Sequence, residues 1–511
     1  MCSTKLFRVV AIGTLLSSAV VGAIGAPLGP FESNIDVGAP KLAGSSMFDA
    51  AKNEYALTGA GSNMWTRSDQ FQFLWRKMSG DFILRARVEF VGKGKNEHRK
   101  IGWMVRSSLE ADAPYVDCAV HGVDLTSLQY RSTNGGITDQ KVLPIKNPDV
   151  IEFERRGSNY LFSAAHNGEK YVTTNYAGVD LPDDLYVGLF ICSHDTDTIE
   201  KAVFHDVSIV KPAKPNFRPY SDFIGSELHL LEVDTGKLET IYTSAQPFEA
   251  PNWTRDGRSL IYNVSGRGAS WGVLNRFDLA TRGISTINTG SNSRNNNDHV
   301  LSFDGQMLGI SDQSVGGSSS IYVVPVGGGT PRRVTANTPS YLHGWSPDGT
   351  SLVFAGQRRI NGTNKFDIYK IPVIGGEEIR MTEAPGVNDG PEYTPDGKYI
   401  YFNSSRTGRM QIWRMKPDGS DQEQVTHDDF NNWFAHISPD GSRFVFISFP
   451  ADIPAGDHPY YRHCYLRLMP ITGGTPKVIA YLYGGQGTMN VPSWSPDGRK
   501  VAFVSNNDMP W

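Results

Sequence analysis

Apolar and polar positions in the second half of this chain fall into short runs with the two-residue period of strands. Examples are Leu260-Ile-Tyr-Asn263, Leu352-Val-Phe-Ala355, Ile400-Tyr-Phe-Asn403, Phe444-Val-Phe-Ile447 and Val501-Ala-Phe-Val504. Each follows a turn of one kind: Trp253-Thr-Arg-Asp-Gly257, Leu301-Ser-Phe-Asp-Gly305, Trp345-Ser-Pro-Asp-Gly349, Tyr393-Thr-Pro-Asp-Gly397, Ile437-Ser-Pro-Asp-Gly441 and Trp494-Ser-Pro-Asp-Gly498. Proline presets one backbone angle and glycine accepts a positive one, so the motif closes a tight turn between antiparallel strands. By subtraction the six glycines lie 48, 44, 48, 44 and 57 residues apart, the period of propeller blades rather than of helical repeats. A second hairpin with a Gly-rich turn lies between copies, as in Ser320 to Thr330 and Asp367 to Gly376. Four strands per repeat make a blade.

The two ends of the repeat region complement each other. It opens with an outer hairpin lacking its inner one (Leu228 to Tyr242) and closes with an inner hairpin lacking its outer one (Ser493 to Ser505). Joined, they complete a sixth blade and leave no free sheet edge. A six-bladed β-propeller over 223–511 is therefore expected. The longest interval contains an insertion, Phe449 to Arg462, and long loops in compact repeats are commonly functional.

The first half shows many short strand signals and no helical period, among them Phe82 to Phe90, Lys100 to Arg106, Tyr115 to His121, Ser127 to Arg131, Leu185 to Cys192 and Ala202 to Val210. This pattern predicts an all-β protein whose residues 27–211 form a two-sheet sandwich, followed by a proline-spaced linker at 212–222. If Ile101, Trp103, Val105, Val116, Cys118, Val120 and Leu128 face the core, then Arg106, His121, Gln129 and Arg131 share the opposite face. These planar hydrogen-bonding groups suit sugar hydroxyls or a carboxylate.

Composition narrows the partners. A formal net charge of −4 with scattered Lys and Arg gives no basic field for nucleic acid. The 53 glycines and 30 prolines among 511 residues suit a turn-dense chain of two domains. Lys5 and Arg8 precede an apolar stretch from Val9 to Ile24, and small residues stand near 23–26. Residues 1–26 thus read as a signal peptide, with export to the periplasm or beyond and no membrane span after its removal. Without Cys2, three cysteines remain, an odd number that is read as buried thiols or one bridge with a thiol left over.

Counting back from the Asp-Gly turns brings polar residues to the channel mouth: Glu249, Asn297, Asp298, His299, His343, Asp389, Glu392, Asn432, Trp433, His436 and Asn490. Such a funnel suits a polyhydroxylated ligand, with Trp433 positioned to stack on a sugar ring. The alternative is that these groups close the channel by bonding to one another.

The second half resembles the TolB-type, WD40-like propellers of exported bacterial proteins, through its Ser-Pro-Asp-Gly turns and Asn403 to Trp413. The first half resembles concanavalin A-like lectin and glucanase sandwiches through Gly102 to Arg106, His121-Gly122, Ser127 to Arg131 and Cys192-Ser-His194. Together they imply carbohydrate recognition, or a non-enzymatic scaffold for envelope proteins. TolB proteins, however, place an α/β domain where this chain has a sandwich. Similar propeller peptidases add a hydrolase domain with a nucleophile elbow, and neither is expected here. Oligogalacturonate lyases are also similar propellers, and that resemblance implies a divalent metal held by His299, His343, His436 and Gln486. No cofactor is otherwise required. The glycosidase alternative needs two carboxyls across the channel, and Glu249 and Asp389, three blades apart, are the candidate pair. Catalytic roles are thus expected of Glu249, Asp389, His343 and His436. Ligand contacts are expected of Asp298, Glu392, Asn432, Trp433 and Asn490 and, in the sandwich, of Arg106, His121, Gln129 and Arg131.

Overall fold

The computed structural model describes residues 28–218, 221–266 and 271–508, so the expected leader at 1–26 lies outside the described residues. Two seven-stranded sheets face each other in the N-terminal half, and every strand pair in them is antiparallel. The first sheet runs in the order Ser33–Val37, Phe71–Met78, Leu185–Cys192, Lys100–Arg106, Tyr115–His121, Thr126–Arg131, Asp139–Val142. The second runs Val172–Tyr176, Asn159–Ala165, Val150–Arg156, Phe82–Val91, Asp195–Val210, Glu54–Gly61, Ser45–Asp49. Trp103, Val105, Val116, Cys118 and Leu128 meet Leu84, Phe153, Phe162 and Phe204 in the core between them. The three cysteines of the described residues are free and buried.

The C-terminal half is a ring of six sheets, each blade built around one Asp-Gly turn. Blade one begins with the inner strand Phe248–Trp253, blade two with Asn295–Leu301, blade three with Ser340–Trp345, blade four with Asn388–Tyr393 and blade five with Asn431–Ile437; each has four strands. Blade six joins the chain ends. Lys500–Asn507 pairs with Gly225–Glu232, which pairs with Leu238–Ser244, and the innermost position is held by a Trp494–Val501 bridge.

The turns repeat with little variation. Their glycines hold φ between +68° and +72°, a region that favours glycine. In every turn the Asp carboxylate accepts a hydrogen bond from the Ser or Thr hydroxyl two residues earlier, at 2.5 to 2.7 Å. The residues just before the motifs (Trp253, Leu301, Trp345, Tyr393, Ile437 and Trp494) meet around a chamber of about 110 Å³ at this end of the channel. That apolar collar leaves the opposite mouth as the polar end.

The two domains touch directly. Arg85 donates to the Tyr481 carbonyl at 2.5 Å, the Val478 amide to the Gly168 carbonyl at 2.9 Å, and the Lys211 amide to Asn507 at 2.8 Å. Ile83 and Val210 pack with Ile224, Tyr461 and Tyr483 across the joint.

Candidate functional site

Six positions, each four residues before the residue that precedes a turn motif, are equivalent by the repeat: Glu249, Asn297, Tyr341, Asp389, Trp433 and Asn490. All but Trp433 line one cavity of about 770 Å³ at the channel mouth. The inner strands of blades one to five each carry an irregularity between this position and the turn. Such bulges re-aim side chains out of the ladder. In blade four the next residue is Gly390, with φ +58°; a Cβ there would meet the Asn403 amide nitrogen at 2.6 Å and the Phe434 ring at 2.9 Å. Only glycine fits, and Asp389 turns into the mouth.

The charged groups of the mouth are arranged unequally. His343 Nε2 lies 3.2 Å from Asp389 and 3.9 Å from Asp298. Burial opposes the positive charge on His343, but its hydrogen bond to Asp389 and the fields of both aspartates outweigh it and raise its pKa. Burial likewise opposes the negative charge on Asp389, yet the His343 bond holds its pKa below the usual range. They form an ion pair. For Asp298, burial outweighs the pull of His343 and pushes the carboxyl up to about 6, although Asn296 donates to it at 2.8 Å. Burial pushes Glu249 up to about 7 against hydrogen bonds that include Asn297 at 2.9 Å. The Gly487 carbonyl accepts the Ala250 amide at 2.8 Å, and a Cβ at Gly487 would collide with Glu249 Cγ, so glycine leaves the room this side chain occupies.

The insertion between the second and third strands of blade five reaches this mouth. It places His458 and Tyr460 in the cavity wall. The His458 ring packs edge-on to Trp433, with centroids 4.5 Å apart, and lies 5.4 Å from that of Phe434. That contact helps to bury Trp433 completely, and no indole face is presented for stacking. Burial keeps the His458 imidazole neutral by lowering its pKa, and its Nδ1 has no hydrogen-bond partner.

The remaining expected residues divide in two. Asn490 and Gln486 line the mouth, and Asn490 accepts the Gly487 amide at 2.7 Å. Glu392, His436, His299 and Asn432 do not line it. Glu392 accepts from His436 Nδ1 at 2.6 Å and faces the apolar chamber below. His299 is wholly buried in the blade wall, its pKa pushed down to about 4 by that burial, with Nε2 3.3 Å from the Ile261 carbonyl. Asn432 is spent on bonds to Gln411, Thr426 and Asp428. The four residues expected to share a metal, His299, His343, His436 and Gln486, are therefore not brought together. Among the described residues, the acidic and imidazole groups whose ligand atoms lie within 4.8 Å of one another are Glu152, Glu154 and His463, at the domain joint.

In the sandwich, Arg106, His121, Gln129 and Arg131 do share a face of paired strands, Gln129 opposite Asp117 and Arg131 opposite Tyr115. That face is closed. A hairpin of Met64–Trp65 with Ser68–Asp69 lies over it, and all four side chains are buried. Arg131 donates twice to Asp69, at 2.6 and 2.8 Å, while the amide nitrogen of Gln129 lies 3.3 Å from the His121 ring. Asp117 beneath them has no hydrogen-bond partner, and burial raises its pKa far above the usual range. The roof comes from residues far away in sequence, which strand alternation cannot reveal.

His458 and Tyr460 could have been found from the long last interval of the repeat, and Tyr341 from its place four residues before Trp345; Trp271 and Phe366, which also line the mouth, carry no such signal. The pentad Gly268-Ala-Ser-Trp-Gly272 spells a nucleophile-elbow pattern. Its flanking elements are Ser259–Val264 and Leu274–Asp278, paired antiparallel in blade one, whereas a nucleophile elbow leads from a strand into a helix.

Residues 343–453 match the family described as the TolB beta propeller domain. An uncharacterized protein of Agrobacterium fabrum, Atu1656, is 45% identical over 280 residues, which cover 55% of this chain and 92% of that protein. The Tol-Pal system protein TolB of Francisella tularensis is 26% identical over 255 residues, 49% of this chain and 54% of its own length. Among solved structures, a putative TolB from Agrobacterium tumefaciens shares 43% identity with a TM-score of 0.52, covering 57% of this chain and all of that one.

Proposed function

The chain belongs to the TolB-like β-propeller family, and on that premise we propose that it is an exported protein, periplasmic or extracellular, that binds carbohydrate in its propeller mouth and cleaves it there by acid–base catalysis. The observation that carries this reading is the cavity of about 770 Å³, a volume typical of small-ligand sites, walled by side-chain amides, aromatic rings and three carboxyls. Cleavage of a glycosidic bond needs one carboxyl that delivers a proton to the leaving oxygen and one that stays ionised to activate water or to attack. Two carboxyls whose environments push their pKa values apart are suited to those roles. Glu249, pushed up to about 7, fits the acid, and Asp389, held ionised by His343, fits the base.

Incubating the full chain with a panel of oligosaccharides and following new reducing ends tests this. Turnover is expected, reduced about 10²–10⁴-fold in Glu249→Gln and in Asp389→Asn with binding retained. An enzyme whose turnover survives both substitutions has its chemistry elsewhere.

A second reading is a non-enzymatic scaffold for envelope proteins, favoured by the Tol-Pal designation of the Francisella relative. It expects a stoichiometric protein partner and no saccharide binding.

A further inference from the structure

The mouth has an unbalanced set of charges. Among the described residues that line it, none is Lys or Arg, while three are carboxylic acids, Glu249, Asp298 and Asp389. The exposed Arg294 sits at the rim, its guanidinium 4.7 Å from the centre of the Trp271 ring. One imidazolium, His343, serves two of the acids, at 3.2 Å for Asp389 and 3.9 Å for Asp298. Glu249 is met by hydrogen-bond donors such as Asn297 at 2.9 Å, whereas Asp298 shares its one imidazole with Asp389. His458, the other imidazole at the mouth, is held neutral by burial. Burying a carboxylate without a counter-charge is costly, so such groups stay protonated until a cation arrives. Aromatic faces at the same cavity, Tyr341 and Phe366 among them, are further attractive surfaces for a cation.

Resting on the reading of the mouth as the ligand site, we propose that the ligand carries a free, positively charged amine, as a deacetylated amino sugar does, and is not a uronate. The amine lies against Asp298, while Glu249 keeps its proton for the leaving oxygen and the amides of Asn297 and Asn490 take hydroxyls. A uronate would bring a fourth carboxylate into a cavity that offers it no Lys or Arg among the described lining residues.

Two signatures separate this from binding of a neutral sugar. An ammonium group draws the proton off Asp298, so binding near pH 6 releases protons and tightens as pH rises from about 5 to about 7. The groups facing Asp298 are Asn296, Tyr341, His343 and Asp389, with Glu249 and His458 elsewhere on the same cavity; loss of the His343 proton as pH rises would make the mouth more negative and so adds to that sign rather than reversing it. The experiment is calorimetry on the full chain with glucosamine oligosaccharides, their N-acetylated counterparts and oligogalacturonates, repeated in buffers of different ionisation enthalpy. The free-amine oligosaccharide is expected to bind at least about tenfold more tightly than the acetylated one, the equivalent of one buried charge contact, with proton release. Asp298→Asn should remove about that advantage, so that the two forms bind alike.

Equal affinity for both forms without proton release overturns the amine while leaving the mouth as the saccharide site. Tighter binding of oligogalacturonate overturns it as well. If no saccharide of any class binds, both the amine and the underlying reading fall. Proton release is measured on the unaltered protein and does not depend on that variant folding.

Discussion

Asp69, in the hairpin that covers the sandwich face, is fully buried and accepts both arms of the Arg131 guanidinium, with Arg106 3.5 Å from one of the same oxygens. Both guanidinium groups are themselves inaccessible to solvent. Removing that carboxylate leaves two buried guanidinium groups whose other oxygen acceptors among the described residues are backbone carbonyls. Asp69→Ala should therefore cost about 3–5 kcal/mol, seen as a lower midpoint in denaturant unfolding of the full chain, whereas loss of an exposed acid such as Glu377 costs far less. A change within about 1 kcal/mol would mean that the pair of arginines finds other acceptors. At this same scale, the side chains expected to form an open polar patch were correctly assigned to one face of one sheet. Their accessibility depended on a hairpin near residue 66, which no alternation within strands 100–131 encodes.

Closure of the ring rests on a single strand. Lys500–Asn507 pairs at eight positions with Gly225–Glu232, and Val501, Ala502, Phe503 and Val504 are buried there. Ending the chain at Arg499 would expose these partners and leave Gly225–Glu232 as a bare edge. The expected loss is on the order of 5 kcal/mol from apolar burial alone, read as a lowered propeller transition in calorimetry with self-association on size-exclusion chromatography. Unchanged melting would show that five blades and a half are stable alone. The closing pairing was legible from the chain ends because each carries half of a four-strand pattern. The insertion of blade five was legible only as a length, since a spacing says nothing of where a loop comes to rest.

The two domains meet through a set of charges that gives the whole molecule a pH dependence. His463 of blade five lies 3.4 Å from Glu152 and 3.0 Å from Glu154 of the second sandwich sheet; Arg85 holds Glu152 at 2.5 Å and Arg156 holds Glu154 at 2.6 Å. Burial disfavours the imidazolium, but the two glutamates outweigh it and raise the His463 pKa above 6.5. A raised histidine pKa means that its stabilisation is complete below about 6.5 and is lost as pH climbs through the folded value. The domain joint should therefore loosen from neutral to mildly alkaline pH. Limited proteolysis of the 212–222 segment is expected to be slow at about pH 6 and faster at about pH 8.5, and His463→Gln should make it fast at both. Cleavage indifferent to pH in the native chain would remove His463 from the joint.

Blade number, ring closure and the division into two all-β halves were properties of the sequence alone, because turn chemistry and the two-residue period are set by neighbours along the chain and recur where the chain repeats itself. Which polar groups meet was decided in three dimensions. Glu249, Asp389 and Trp433 occupy the same place in the repeat, yet two acids line the cavity while the indole lies buried against an inserted loop. Bulges set the direction of each side chain and distant segments set its exposure. Both are outcomes of packing, and packing joins residues that the linear order keeps apart.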